Sequence, residues 1–485
     1  MSWDDRPNAA TVLHGIWAAT EYRQNATEYR GRGCGCRVGF HTFGCKLNQF
    51  ETEALASSFK NQGLSVVPFE QEADAYVVNT CTVTCRADHK ARALIRSLAR
   101  SRPHALLIVT GCSAELDAGA LSSLGENVLV IPQSQKASLL DLPMILGRPA
   151  VTADREGVTV PRDVFSPVTV PRDIFPPVTV PRDIFCLTAS AHNFRTRAYL
   201  KVQDGCDSRC SYCRVPLARG PSVSLNPAEA VRRGVELEEL GYREVVITGV
   251  NIASYSSEGI VLHRLLQVLL EATQRIRFRL SSLEPECITE ALGEVIAHKR
   301  ICPHFHIPAQ SGSDSVLGRM RRRSLTGRIR EAVALLRDTK EDPYIAADII
   351  TGFPGETDAE FAETRGLAEE LSFAALHVFP FSPRPGTAAS GLRPAVPERT
   401  RHQRARVLRA MGRLSSSSYA RSWVGRDVEV LLEGGEGTRA WGVSGNYLKV
   451  DVGGVPAADA AEGRIARARI TSESGKCSGR FLGFD

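Results

Sequence analysis

The sequence predicts an α/β protein in three parts: an N-terminal parallel α/β domain (residues 37–147), a partial (β/α) barrel (191–421) and a small C-terminal β-barrel (422–485). Three observations predict this. Residues 37–147 alternate strand-like and helix-like runs, the order that gives a parallel sheet covered by helices. Residues 195–390 alternate again, with six strand-like runs. Beyond residue 422 short strand-like runs separated by Gly take over, the pattern of a small barrel.

In the first part, residues 38–43, 75–79, 105–110 and 128–132 read as strands, and 48–61, 86–101 and 114–124 as helices. In the second, strands are expected at 199–203, 244–248, 277–281, 305–308, 345–350 and 376–379, with helices such as 227–240, 262–273 and 324–340 between some of them. Residues 391–421 form an Arg-rich helix carrying Arg401, Arg404, Arg406, Arg409 and Arg413. In the third part, strands are expected at 428–432, 438–443, 448–452 and 465–470. Residues 1–36 fit no element and read as a flexible lead-in, with Cys34 and Cys36 as incidental thiols. Residues 148–190 read as a linker with an insertion, in which near-identical decapeptides begin at Val158, Val168 and Val178. Each unit carries a Pro that interrupts regular structure, and the period is too short for a solenoid, so an extended, mobile expansion is expected.

The 485 residues, 43% hydrophobic and 24% charged, have the composition of a globular protein with real cores. No apolar run reaches the ~18 residues of a membrane span. The N-terminal stretch carries Asp4, Asp5, Glu21 and Glu28 without a long apolar run, which argues against a signal or transit peptide. Thirteen cysteines in such a chain point to a reducing compartment, here the cytoplasm, and to metal or catalysis rather than disulfides. A net charge of +6 permits a nucleic-acid partner without demanding one.

The most informative run is Gly205-Cys206-Asp207-Ser208-Arg209-Cys210-Ser211-Tyr212-Cys213. Three thiolates at this spacing complete neither a structural zinc shell nor the four-cysteine shell of an ordinary iron–sulfur cluster. They can hold a [4Fe–4S] cluster at three irons and leave the fourth open for a ligand. The competing reading is three buried thiols, or a zinc site whose fourth ligand comes from elsewhere. Cys45, Cys81 and Cys112 each fall just past a predicted strand. In a parallel sheet the carboxyl ends of the strands share one edge, where ligands bind. That placement predicts a second cluster site on one rim, against the alternative of three separate core cysteines. Cys85, a turn beyond Cys81, reads as a bystander or a spare ligand.

The cysteine run resembles the signature of radical S-adenosylmethionine (SAM) enzymes, and from residue 38 onward the chain resembles the methylthiotransferases of that class. The resemblance rests on Gly44-Cys45-Lys46-Leu47-Asn48-Gln49, Asn79-Thr80-Cys81-Thr82-Val83-Thr84, Thr110-Gly111-Cys112, Thr248-Gly249-Val250-Asn251-Ile252, Ser281-Ser282-Leu283-Glu284-Pro285, the run from His306 to Ser313 and the run from Asp348 to Glu356. The wording around Cys45, Cys81 and Thr248 is most similar to the branch acting on N6-threonylcarbamoyladenosine of tRNA. The resemblance implies two [4Fe–4S] clusters, one on Cys206, Cys210 and Cys213 that binds SAM, and an auxiliary one on Cys45, Cys81 and Cys112 that serves sulfur insertion. It implies cleavage of SAM by a reduced cluster, hydrogen removal at C2 of the adenine, and methylthiolation there.

Tyr212, Gly249, Ser282, Glu284 and Gln310 are the implied cofactor-binding residues, turn or cap duty being the alternative for the last three. Arg321, Arg322, Arg404 and Lys449 are the implied RNA contacts, with residues 422–485 as an RNA-binding TRAM-like barrel. The partners implied are the anticodon loop of tRNA and an electron donor, with no membrane, and a monomer is expected. Rival readings are the same chemistry on isopentenyladenosine or on a ribosomal-protein aspartate, and a zinc RNA-binding protein without redox chemistry. After Arg219-Gly220 the run Pro221-Ser222-Val223-Ser224-Leu225 departs from the more arginine-rich family pattern.

Overall fold

The computed structural model describes residues 36–143, 184–188, 196–458, 461–473 and 476–485. The lead-in and most of the decapeptide repeat lie outside the described residues. The repeat's last Phe185 is buried in the central core and Leu187 in the N-terminal core, so the end of the expected loose linker pins two cores together.

The N-terminal sheet contains β1 (Arg37–Thr42), β2 (Ser65–Val67), β3 (Ala75–Thr80), β4 (Leu106–Gly111) and β5 (Val128–Val130). All pairs are parallel, in the order β2-β1-β3-β4-β5. Every residue of β3 and β4 is buried, as expected for strands covered on both faces. One face packs Leu47, Leu55 and Phe59 of helix Lys46–Asn61. The other packs Ile95 of helix Cys85–Ser101. β2 was not expected; three residues carry too little alternation to register as a strand. The helix expected over 114–124 is broken at Asp117 into Cys112–Leu116 and Ala118–Ser122.

The central part contributes β6 (Ala198–Lys201), β7 (Glu244–Thr248), β8 (Arg277–Leu280), β9 (His304–Gln310), β10 (Tyr344–Thr351) and β11 (Ala375–Pro380). β6, β7 and β8 pair in parallel, as do β9, β10 and β11. Parallel bridges Phe278–Ile301 and Ser282–His306 join the two halves into one arc. The helices cover its outside with apolar faces, such as Leu262, Leu265, Leu266 and Leu269 of Leu262–Ala272. Helix Glu398–Ser422 then leads to the third part.

There β12 (Asp427–Glu436), β13 (Arg439–Ser444), β14 (Lys449–Gly453), β15 (Ile465–Glu473) and β16 (Cys477–Phe484) close into a barrel in the order β12-β13-β14-β16-β15. Gly479 and Gly483 interrupt the apolar alternation of β16, which is why four strands rather than five were expected. The barrel docks on the arc through two arginines of β8. Arg277 and Arg279 each donate to the buried carboxylate of Glu244 on β7 at 2.7 Å. Arg279 also donates to the carbonyls of Ser444 and Gly445, at 3.1 and 3.0 Å.

Candidate active site

The chain turns sharply just ahead of two of the three N-terminal cysteines. Gly44 has φ +103° and delivers Cys45 to the N-cap of helix Lys46–Asn61. Gly111 has φ +97° and delivers Cys112 to the first position of helix Cys112–Leu116. Neither turn has room for a side chain. A Cβ on Gly44 would lie 2.6 Å from Sγ of Cys81, and one on Gly111 would lie 2.4 Å from Oδ1 of Asn79.

Cys45, Cys81 and Cys112 are thereby brought into mutual electrostatic reach. Burial pushes the Cys81 thiol up to about 12; the Val83 amide, donating to Sγ at 3.4 Å, opposes this, and the neighbouring Cys45 and Cys112 add to it. Burial also raises Cys45, against the pull of Arg219. Cys45 remains accessible to solvent.

The second cysteine loop follows β6. The amides of Ser208 and Val215 donate to Sγ of Cys206 and Cys213, both at 3.4 Å. The Arg322 guanidinium donates to Sγ of Cys210 at 3.6 Å. Burial raises Cys213 to about 12, opposed by the Val215 amide and reinforced by Cys210 and Cys206. Each group thus collects three thiols and has at least one N–H donor to sulfur, the arrangement that thiolate ligands of an iron–sulfur cluster use. The donor set of each fits a cluster held at three corners. Binding must first strip protons from the buried thiols.

The loops lie one layer of side chains apart. Arg214, next to Cys213, donates to Oγ1 of Thr82, next to Cys81, at 3.1 Å; Arg384 donates to the same hydroxyl at 2.8 Å. Arg384 also reaches Sγ of Cys85 at 3.1 Å, which gives that thiol a partner of its own. Beside them runs a buried ion network that sequence reasoning missed. Arg219 joins Glu51 (2.8 Å) and Asp204 (3.1 Å) and donates to Oδ1 of Asn48 at 2.8 Å. Lys136 pairs with Glu51 at 2.5 Å and Lys201 with Asp204 at 2.6 Å. Burial would raise both carboxyls, but Arg219 and the lysines outweigh it and hold them below their usual range. Three cations against two carboxylates leave a positive excess near the Cys112 thiol. Only Arg219-Gly220 hinted at this in the sequence.

The other expected residues divide. Tyr212 packs partly buried against the core, and burial pushes its hydroxyl well up. Gly249 lies against Gln203, whose carbonyl would be 2.8 Å from any Cβ, so close packing accounts for the glycine. Ser282 bonds His306 across 2.7 Å. Gln310 is buried at φ +67°. Glu284 forms an ion pair with Arg322.

Two RNA expectations need correction. Arg322 is held by Glu284 and by Cys210, with a side chain only 6% exposed. Arg404 is buried between Glu356 and Asp358, at 2.5 and 2.7 Å. Both are occupied by local acids that sequence distance concealed. Arg321 and Lys449 are exposed.

Comparison with known proteins agrees with this architecture. The model of uncharacterized protein family UPF0004 matches residues 37–131, and that of the radical SAM superfamily matches 200–368. Threonylcarbamoyladenosine tRNA methylthiotransferase MtaB of Treponema pallidum is 37% identical over 472 residues, covering 88% of this chain and 97% of that one. The Bacillus subtilis protein of the same name is 34% identical over 85% of this chain and 89% of its own. The chain belongs to the radical SAM methylthiotransferase family.

Within it, the tRNA-2-methylthio-N(6)-dimethylallyladenosine synthase of Thermus thermophilus is 30% identical, over 83% of this chain and 82% of its own. The Kitasatospora setae radical SAM methyltransferase TsrM, solved with tryptophan and a SAM analogue, has a TM-score of 0.50 at 15% identity, over 73% of this chain and 75% of that one, a likeness of fold alone. Enzymes of this family use SAM and [4Fe–4S] clusters. Among the described residues no helix is long and apolar enough to cross a membrane.

Proposed function

We propose that this protein is a tRNA methylthiotransferase that adds a methylthio group to C2 of N6-threonylcarbamoyladenosine beside the anticodon. The observation that carries the reading is the pair of three-cysteine groups whose neighbours Arg214 and Thr82 are hydrogen-bonded at 3.1 Å, in a chain whose relatives bear that name.

Cys206, Cys210 and Cys213 would hold the SAM-binding cluster and Cys45, Cys81 and Cys112 the auxiliary one. When bound, the two clusters supply the electron that cleaves SAM and the site from which sulfur is inserted. The chain's own residues do the rest. Amide donors and Arg322 stabilise thiolate charge, Arg219 and its network keep the rim positive, and the layered loops limit the access of water. Arg321 would touch phosphate near the mouth. Lys449 and the half-exposed Trp441, on paired strands β14 and β13, offer a cation and a stacking ring for RNA. Residues 37–147 would serve sulfur insertion, 191–421 SAM cleavage and 422–485 tRNA capture. The proposed setting is the cytoplasm, with a monomer taking electrons from a separate donor.

Cys112→Ala tests the assignment. A deletion strain complemented with this variant should contain no methylthiolated threonylcarbamoyladenosine by mass spectrometry of tRNA nucleosides. An unchanged level of the modified nucleoside would remove Cys112 from the ligand set.

A further inference from the structure

Inside the arc a chain of four polar side chains runs across adjacent strands, and only Ser282 among them has a role so far, as an implied cofactor contact. Ser282, just past β8, bonds Nδ1 of His306 on β9 across 2.7 Å. Nε2 of the same ring lies 2.8 Å from Oδ1 of Asp348 on β10. That oxygen also meets Nδ1 of His377 on β11 at 3.1 Å. Side-chain exposure rises along the chain, from 15% at His306 through 25% at Asp348 to 53% at His377. The row therefore starts in packed protein and ends in open space. Asp348 lies in the electrostatic field of Lys46, the residue that follows Cys45.

The protons can be placed. Burial works against the Asp348 charge, but the bonds from His306 and His377 prevail and hold its carboxyl down at about 2. An ionised carboxylate only accepts, so both imidazole nitrogens facing it carry hydrogen. In neutral His306 the remaining nitrogen accepts from the Ser282 hydroxyl. His377 is held the same way through Nδ1, and its second nitrogen, Nε2, lies on the other side of a half-exposed ring, where a ligand can meet it. Its tautomer and ring orientation are set by the partner behind it. A bare Nε2 accepts a hydrogen bond from an N–H or hydroxyl group, and an Nε2 that carries hydrogen donates to a carboxylate.

A threonylcarbamoyl group carries all three of these partners: ureido N–H, hydroxyl and carboxylate. A dimethylallyl group carries none. Against it, the outer end of the row would lose water without gaining a partner, and sites built around hydrogen bonds reject analogues that lack them.

We propose that the row Ser282–His306–Asp348–His377 reads the N6 substituent of the target adenosine, with His377 as the contact that favours threonylcarbamoyl over dimethylallyl. This rests on the substrate reading given above. Ser282, His306 and Asp348 act through His377 as positioning residues.

The test compares anaerobic methylthiolation of two tRNA substrates, one carrying threonylcarbamoyladenosine and one dimethylallyladenosine, by the cluster-loaded full chain. Wild type, His377→Phe, His377→Gln and Asp348→Asn are assayed, with iron and sulfide content measured for each. His377→Phe is expected to lower the ratio of kcat/KM values for the two substrates by about tenfold or more, chiefly through KM on the polar one. His377→Gln, which restores a polar contact, is expected to recover part of that ratio, and Asp348→Asn to lie between.

A wild-type preference for threonylcarbamoyladenosine that is unchanged in His377→Phe would overturn this inference and leave the substrate reading standing. A wild type that prefers dimethylallyladenosine would overturn the substrate reading itself. Two histidines and a carboxylate whose donor atoms lie within 4.8 Å of one another also have the make-up of a cation site. A stoichiometric divalent metal beyond the cluster iron, lost in Asp348→Asn, would replace the inference with that one.

Discussion

At the scale of single residues, Arg219 decides whether the rim beside Cys112 carries an excess positive charge or none. Its side chain is buried, and the guanidinium holds Glu51, Asp204 and Asn48 at once. Arg219→Met would leave Lys136 and Lys201 against the two acids and remove a donor from Asn48. Taking one partner from a buried ion network costs about 3–5 kcal/mol, because the remaining charges have lost both water and partner. Urea unfolding at neutral pH should show a loss of that order. The pH dependence has a definite sign. Both carboxyls are held below their usual range, so their contribution is present above about pH 4 and is lost as pH falls through their folded values. The gap between wild type and Arg219→Met should therefore shrink in acid. The partners of Arg219 lie far away in sequence, and no local pattern announces a buried pair whose members belong to different sheets. The same reason hid the acids that occupy Arg322 and Arg404.

At the scale of elements, what was legible is the strand end. A run of β-branched residues closing on Gly-Cys or Thr-Cys can be read in one dimension, and a parallel sheet converts three such ends into one rim. The structure puts Cys45, Cys81 and Cys112 there because Gly44 and Gly111 adopt backbone angles that a side chain resists. Gly44→Ala would force a methyl group to within 2.6 Å of Cys81 Sγ, and Gly111→Ala one to within 2.4 Å of Asn79 Oδ1. Either change should cost about 1–3 kcal/mol in backbone strain and displace a thiol. The expected outcome is selective: about half of the iron and sulfide should be lost, since the loop from Cys206 to Cys213 lies on a different sheet. Metal analysis of anaerobically purified variants checks this, and equal loss from both loops would refute the selectivity. Short or Gly-interrupted elements, β2 and β16, escaped notice because they carry too few alternating positions to be distinguished from loop.

At the scale of the whole molecule, one buried carboxylate ties the C-terminal barrel to the arc. Glu244 accepts from Arg277 and Arg279, and Arg279 reaches onward to the carbonyls of Ser444 and Gly445 at the tip of β13. The acid thus orients the arginine that carries the docking bonds. Burial favours its neutral form, yet the two guanidiniums hold the carboxyl down at about 2. A folded value below the ordinary carboxylate range means that the stabilisation exists above about pH 4.5 and drains away as pH falls toward 2. Glu244→Gln keeps the shape and deletes the charge, leaving the buried Arg279 without a counter-ion and Arg277 with only Glu429 at 3.9 Å, at a cost of about 3–5 kcal/mol. The loss should appear first where the two bodies meet. Limited proteolysis should cut near residues 423–427, ahead of β12, at protease levels that leave wild type intact, and the fluorescence of Trp423 should shift as the barrel loosens. Function should follow by position: tRNA affinity falls because Lys449 and Trp441 no longer sit at a fixed distance from the cysteine loops, while the iron content of those loops stays whole. A Glu244→Gln protein that resists protease as wild type does would show that other contacts at the joint, among them Arg426 with Glu341 and Asp342 and Arg197 with Glu433, hold the barrel in place without this ion triad.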